Sequence, residues 1–491
     1  MRIRPANVTE IKAGGLILGM DRKCRRVYYN AEDTHAFILG ATRSGKSRCL
    51  VLPSIGLIGM SGESMVVVDV KGELYGYTYP YLESCNYEII RLDFSNPRKT
   101  MQYNFLQMVI DACNEGDIPK AVTKARDVAT LLIQGGEHTE PVWIDGARAI
   151  TMMGILAVVM DNQNRPRYQN LANVRQFIAT MCTPVGEKHK LPLEQYLDQF
   201  DEDSPLKNAM AIAQITPSKM RGSFYSQALT ALEMFTDPYM HEMTAETSWE
   251  PEAMGRRRQA VFIVLPDERK TYHSLAALFV MQQYQRLVEQ ATGRGGRLKN
   301  RVHFVCDEFG NFVKIPDMST ILTVSGGRGI RFYLFLQDTN QLDELYGDKV
   351  GRTIRANCET WVYLQTDDGN TLKELSEKLG NYTIKAPGIS GSSRGDATAS
   401  YNLTGRPLLM PEEIKRLKRP YQLVTSRAAP AIHYMPDISK TVFNRLFGMG
   451  EPEHNRKLLL RRLKHGDDLV PKPQYAIQDW QMFVDMALVS Q

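Results

Sequence analysis

FILGATRSGKSRCLVLPSI, Phe37 to Ile55, is the stretch on which the fold turns. An apolar run, HAFILG (35–40), leads into the spacing G-x-x-x-x-G-K-S, with Gly40, Gly45, Lys46 and Ser47 at its fixed positions. The glycines let backbone N–H groups curl around a phosphate, Lys46 supplies a point charge for β/γ oxygens, and the Ser47 hydroxyl is suited to Mg²⁺. The flanks predict a strand before the loop and a helix over 45–60 after it. Gly40, Ala41, Thr42, Arg43, Ser44, Gly45, Lys46 and Ser47 are therefore the expected ATP-binding loop, with ATP and Mg²⁺ as cofactors.

Working outward, SMVVVDVKGELY (64–75) and YEIIRLDFS (87–95) are further continuously apolar strands. RRQAVFIVLPD (257–267), RVHFVCDEFGNF (301–312), IRFYLFLQDTNQL (330–342) and CETWVYLQTDD (358–368) resume the pattern later. Continuous rather than alternating apolar character belongs to parallel strands covered on both faces. Between them, Leu106 to Ala253 reads as helix throughout, as in WIDGARAITMMGILAVVM. The expected architecture is α/β, a P-loop NTPase domain interrupted by an all-α domain. Expected boundaries are 1–106 with 254–446 for the motor, 107–253 for the helical insertion, and 447–491 for a basic helical tail. The Gly/Ser-rich segment 386–402 reads as a mobile surface loop.

A phosphate loop needs a carboxylate on a second strand to hold Mg²⁺ and orient water. VHFVCDEFG ends in Asp307, assigned to the Mg²⁺ shell beside Ser47, and Glu308, assigned to polarising the attacking water. Asp69, ending VVVDVKGELY, competes for the metal role. Adjacent carboxylates serve both metal and water, which favours the 307–308 pair. Gln337, at the end of YLFLQD, places a neutral amide where it can sense the γ-phosphate or the water.

Composition excludes little and permits much. The 491 residues carry 43% apolar and 23% charged side chains and a net charge of +5, which is ordinary for globular proteins and only mildly basic. Seven scattered cysteines without a C-x-x-C pair speak for reduced thiols rather than a disulfide frame or structural zinc. The longest apolar run, 149–160, falls short of the ~20 residues a bilayer span needs and predicts a buried helix. No signal peptide opens the chain.

The motif set, taken together, resembles the type IV coupling proteins, the TraG/TraD-like ATPases of conjugation and type IV secretion. VVVDVKGELY, PVWIDGARAI, DEFGNF, LFLQDTNQLDELYG, NCETWVYLQTDD, LSEKLGNYTI and GRPLLMPEEI carry the resemblance from about residue 30 to 446. It implies a RecA-like motor, a homo-hexameric ring at the cytoplasmic face of the bacterial membrane, and transfer of single-stranded DNA, a relaxase–DNA complex or an effector protein into a type IV secretion channel. A neighbour's arginine would complete each active site, with Arg328 the first candidate and Arg355 the second. Relatives begin with transmembrane helices and this chain shows none, so a shortened chain or docking on a separate membrane-anchor subunit is expected. Basic loops facing a ring's pore grip phosphates without reading sequence; GRGGRLKNR (293–301) and the 386–402 loop with Arg394 are the candidates. The competing functions are a double-stranded DNA pump of a related translocase type, and a substrate-docking receptor that uses ATP binding as an assembly switch.

Overall fold

The computed structural model describes residues 5–7, 11–24, 26–135, 140–391, 397–450, 452–453, 456 and 476–489. Fourteen strands form among them: β1 (Pro5–Asn7), β2 (Leu16–Met20), β3 (Arg26–Asn30), β4 (Ala36–Leu39), β5 (Ser64–Val70), β6 (Glu88–Asp93), β7 (Gln259–Leu265), β8 (Val302–Cys306), β9 (Ile330–Leu336), β10 (Thr360–Tyr363), β11 (Asn381–Gly391), β12 (Ala397–Pro407), β13 (Tyr421–Thr425) and β14 (Ala431–Tyr434). Twelve of them make one sheet in the order β1-β3-β2-β14-β13-β10-β4-β9-β8-β5-β7-β6. From β10 to β6 every neighbouring pair is parallel. From β10 outward through β13, β14, β2, β3 and β1 every pair is antiparallel.

The parallel strands are apolar on both sides because both faces are covered. Phe37 and Leu39 of β4 and Val66 and Val68 of β5 join one core cluster. Ile38, Met65 and Val67, pointing the other way, join a second cluster with Ile55 and Leu82 from helices Leu52–Ser61 and Glu73–Ser84. The alternation follows from the two-residue period of a strand.

Between β6 and β7 the elements among the described residues are helices, apart from one isolated bridge between Val185 and Lys190. Their starts are written in the sequence. Asp117, Asn170, Ser204 and Asp237 accept hydrogen bonds from the first-turn N–H groups of their helices, and proline stands in the first turn at Pro119, Pro141, Pro192, Pro205 and Pro238. Helix Pro141–Asp161 is, among the described residues, the one long and apolar enough to cross a bilayer. Here Ile150, Met153, Leu156 and Val158 are instead fully buried in the first cluster.

Two departures from the sequence-based expectation are physical. In the Gly/Ser-rich 386–402 segment, residues 386–391 and 397–402 are strand rather than loop: β11 and β12 pair antiparallel over 11 positions, because ladder bonds join backbone groups whatever the side chains. Arg394 lies outside the described residues, as does most of the basic stretch 453–468. The C-terminal helix Gln481–Val489 docks on the helical insertion, with Trp480 4.8 Å from the Phe177 ring and Phe483 5.2 Å from Tyr196.

Candidate nucleotide site

The loop after β4 is held by its neighbours on both sides. Gly40 N–H donates to Leu336 O of β9 at 3.1 Å, and Ala41 N–H donates to Gln365 O just beyond β10 at 2.7 Å. Gly45 turns the chain with φ of 96°, a conformation that side chains resist. A wide, π-type helical stretch, Lys46–Val51, then opens helix Leu52–Ser61.

Inside the loop, Lys46 is buried and its Nζ donates to Gly40 O at 2.5 Å. Glu308 Oε1 stands 3.9 Å from the same ammonium. Ser47 Oγ donates to Asp307 Oδ2 at 3.3 Å. Gln337 Nε2 donates to Glu308 Oε2 at 3.4 Å, and Gln337 N–H donates to Gln341 Oε1 at 2.9 Å. Glu308 itself sits in the left-handed region, φ 52°, immediately after β8. Such a conformation is costly for a side chain-bearing residue and recurs where a side chain is aimed at a site. Thus β4, β8 and β9 bring Lys46, Ser47, Asp307, Glu308 and Gln337 together.

The electrostatics are those of a site short of cations. Burial, and then the adjacent Glu308 charge, push the Asp307 carboxyl up to about 6, against Lys46 and the hydrogen bonds from Glu308 N–H and Ser47. Asp69, fully buried, rises to about 7, chiefly through burial, with Asp307 adding to it. Asp69 Oδ2 accepts Tyr75 N–H at 2.7 Å and so caps the helix after β5, while Ser47 pairs with Asp307. Among the described residues the Oδ1 of Asp69 has no partner within hydrogen-bond geometry. A carboxylate beside a hydroxyl, with surplus negative charge nearby, fits a hard divalent cation that draws its remaining ligands from phosphate and water. Among the described residues no cluster of three His, Cys, Asp or Glu forms a metal cage.

The two arginine candidates part company. Arg355 is buried and already paired, Nη1 2.7 Å from Asp343 Oδ1 and Nε 3.0 Å from Glu374 Oε1. Arg328 closes the turn Gly326–Arg328 before β9 and donates to Val324 O at 3.1 Å. It therefore lies at the opposite end of β9 from Gln337, roughly 20 Å along the strand. In the 293–301 loop, Arg297 pairs with Asp33, and Arg301 stands 3.3 Å from Asp33 and 3.4 Å from Glu63. Two of that loop's three arginines are thereby neutralised near its base.

Sequence reasoning passed over a third arginine. Arg419, from the segment entering β13, lies on the outside of the phosphate loop and donates to Arg43 O. Beside it, Arg48 forms a two-pronged pair with Asp437, both contacts at 2.7 Å. No local motif marks either contact, because β13 and β14 reach the loop only through the sheet order.

With this geometry, similarity to known proteins is decisive. Residues 7–435 match the family model described as type IV secretory system conjugative DNA transfer. The chain belongs to this family, the type IV coupling proteins. It is 26% identical over 415 residues to the VirD4 protein of Agrobacterium fabrum, covering 82% of this chain and 58% of VirD4. The chain thus spans under two-thirds of that relative's length. Among solved structures, the unbound conjugative coupling protein TrwBdeltaN70 superposes with a TM-score of 0.63 at 18% identity, covering 86% of this chain and 88% of that one. TrwB in complex with ADP and Mg²⁺ gives 0.59 at 17% identity, over 85% and 88%. The fold is the RecA-like P-loop NTPase fold with an all-α insertion.

Proposed function

We propose that this chain is the ATP-hydrolysing motor of a type IV coupling protein, one that recruits DNA or a relaxase–DNA complex and feeds it to a secretion channel. The observation carrying the reading is the convergence of Lys46, Ser47, Asp307 and Glu308 from β4 and β8 on one phosphate-binding loop. The family's role in conjugative DNA transfer supplies the cargo class.

In this reading the N–H groups of Gly40 to Ser47 cradle the β-phosphate and Lys46 moves from Gly40 O to the β/γ oxygens. Ser47 and Asp307 hold Mg²⁺, which when bound offsets charge on the transferring phosphoryl. Glu308 accepts the hydrogen bond of the attacking water, and its left-handed backbone aims the carboxylate across the loop toward Lys46. The Gln337 amide, bonded to Glu308, holds that carboxylate and senses loss of the γ-phosphate. A homo-hexamer at the cytoplasmic face of the bacterial membrane supports Arg328 acting from a neighbour, since its own loop lies at the far end of β9. The motor comprises 1–106 and 254–446, with substrate recruitment assigned to 107–253 and the C-terminal tail to 447–491. Channel components and a membrane-anchor subunit are the partners.

Phosphate release with and without single- and double-stranded DNA, for wild type, Lys46→Ala and Glu308→Gln, tests this. Wild-type turnover above both variants is expected. Equal rates for all three assembled proteins would sink the motor reading.

A further inference from the structure

Most arginines packed against the motor core are matched with carboxylates: Arg301 and Arg331 with Asp33, Arg355 with Asp343, and Arg48 with Asp437. Arg419 is not. It is exposed, and among the described residues its one hydrogen bond goes to the Arg43 carbonyl of the phosphate loop. A guanidinium carries five N–H donors and no acceptor, so most of its capacity faces outward. Its contact with the loop is close: a Cβ built on Gly45 would lie 2.9 Å from Arg419 Cζ. That position is therefore kept clear both by backbone conformation and by this side chain.

The position is fixed from two directions. Met435 N–H donates to Pro420 O at 2.6 Å, tying the residue after Arg419 to the strand that leads to Asp437. Asp437 in turn grips Arg48, on the helix just past Ser47. Asp437 neutralises Arg48, whereas Arg419 and Arg43, both exposed, have no carboxylate partner among the described residues. In the sheet order, β13 and β10 lie on one side of β4, whereas β9 and β8, bearing Gln337, Asp307 and Glu308, lie on the other. Arg419 thus approaches the loop from the flank opposite the carboxylates.

We propose that Arg419 is a nucleotide-binding residue acting within its own chain, gripping the α/β-phosphate end of the bound nucleotide while the 307–308 carboxylates work at the γ end. The proposal rests on the nucleotide reading of the loop. It assigns the segment entering β13 a role in the site, and makes grip on ADP as dependent on Arg419 as grip on ATP.

The test is fluorescence titration of the full chain with mant-ATP and mant-ADP in Mg²⁺, for wild type, Arg419→Ala, Arg419→Lys and Lys46→Ala. Loss of a charge-assisted contact predicts about tenfold weaker binding of both nucleotides to Arg419→Ala, with partial recovery in Arg419→Lys. The melting temperature without nucleotide should match wild type, and the rise on adding ADP should shrink. Weakening confined to mant-ATP would overturn the assignment to the α/β end. Affinities within twofold of wild type for both probes would overturn the role altogether. If wild type binds neither probe, the nucleotide reading itself fails, whereas wild-type binding abolished by Lys46→Ala upholds it whatever Arg419 does.

Discussion

Ser47 Oγ lies 3.3 Å from Asp307 Oδ2 although 260 residues separate them in the chain. A hydroxyl from the loop after β4 and a carboxylate from the end of β8 thereby face one small volume. Asp307→Asn keeps the shape and removes the charge, so it should cut Mg²⁺-dependent phosphate release by about 10²-fold or more. Titrating Mg²⁺ against turnover checks this; an unchanged Mg²⁺ dependence would move the metal role to Asp69.

Glu308→Gln should separate binding from chemistry. Losing a positioned base costs about 10²–10⁴ in rate, whereas nucleotide affinity should stay near wild type. Gln337→Ala should fall in between, because it removes the hydrogen bond that steadies Glu308 and leaves the carboxylate itself in place. Single-turnover phosphate release beside mant-ATP titration reads both.

Arg328 sits at the other end of β9 from its own phosphate loop. Arg328→Ala and Glu308→Gln, each inactive alone, should therefore recover part of the activity when mixed before assembly. Interfaces that pair an intact Arg328 with an intact Glu308 would account for the recovery. Strictly additive, inactive mixtures would remove Arg328 from the site.

His35 supplies a pH prediction. Its Nδ1 accepts the Phe332 N–H at 3.0 Å and its Nε2 lies 2.8 Å from Leu322 O, so the neutral ring is built in. Burial lowers it to about 4. Between pH 6.5 and 4 the unfolded chain binds a proton that the folded ring refuses, so stability falls with acid by up to about 1.4 kcal/mol per pH unit and levels off below 4. Asp69 and Asp307, raised to about 7 and 6, oppose this, because there the folded state binds protons more readily. The readout is accordingly a difference: His35→Gln should lose stability less steeply than wild type from pH 6.5 to 4.5 in urea unfolding.

Trp480 closes an aromatic cluster with Phe177 and Tyr196, and Asn173 pins the approach to it by donating to Ala476 O and accepting Gln478 N–H. Trp480→Ala should loosen the C-terminal helix at a cost of about 3–5 kcal/mol of local stability. Hydrogen exchange should then speed up in residues 481–489 and in helix Leu171–Met181, with β4 unaffected.

The sequence alone determined the parts whose physics is local. The loop 40–47 was legible because its glycines, lysine and serine must follow one another to wrap a phosphate. The parallel strands were legible because strands covered on both faces are apolar at every position, and the helix starts because their caps and prolines lie within one turn. Tertiary structure decided what depends on distant segments meeting. β2, β3, β13 and β14 extend the sheet as antiparallel strands that no period of apolar residues announced. Residues 386–391 and 397–402 form a two-stranded ribbon because each backbone finds a partner strand, a fact their glycines and serines concealed. Arg355 is spent on Asp343 and Glu374, Arg328 is turned away from its own loop, and Arg419 is laid upon it. In each case the choice rests on which strand neighbours which, and hydrogen bonds between strands hundreds of residues apart leave no local mark.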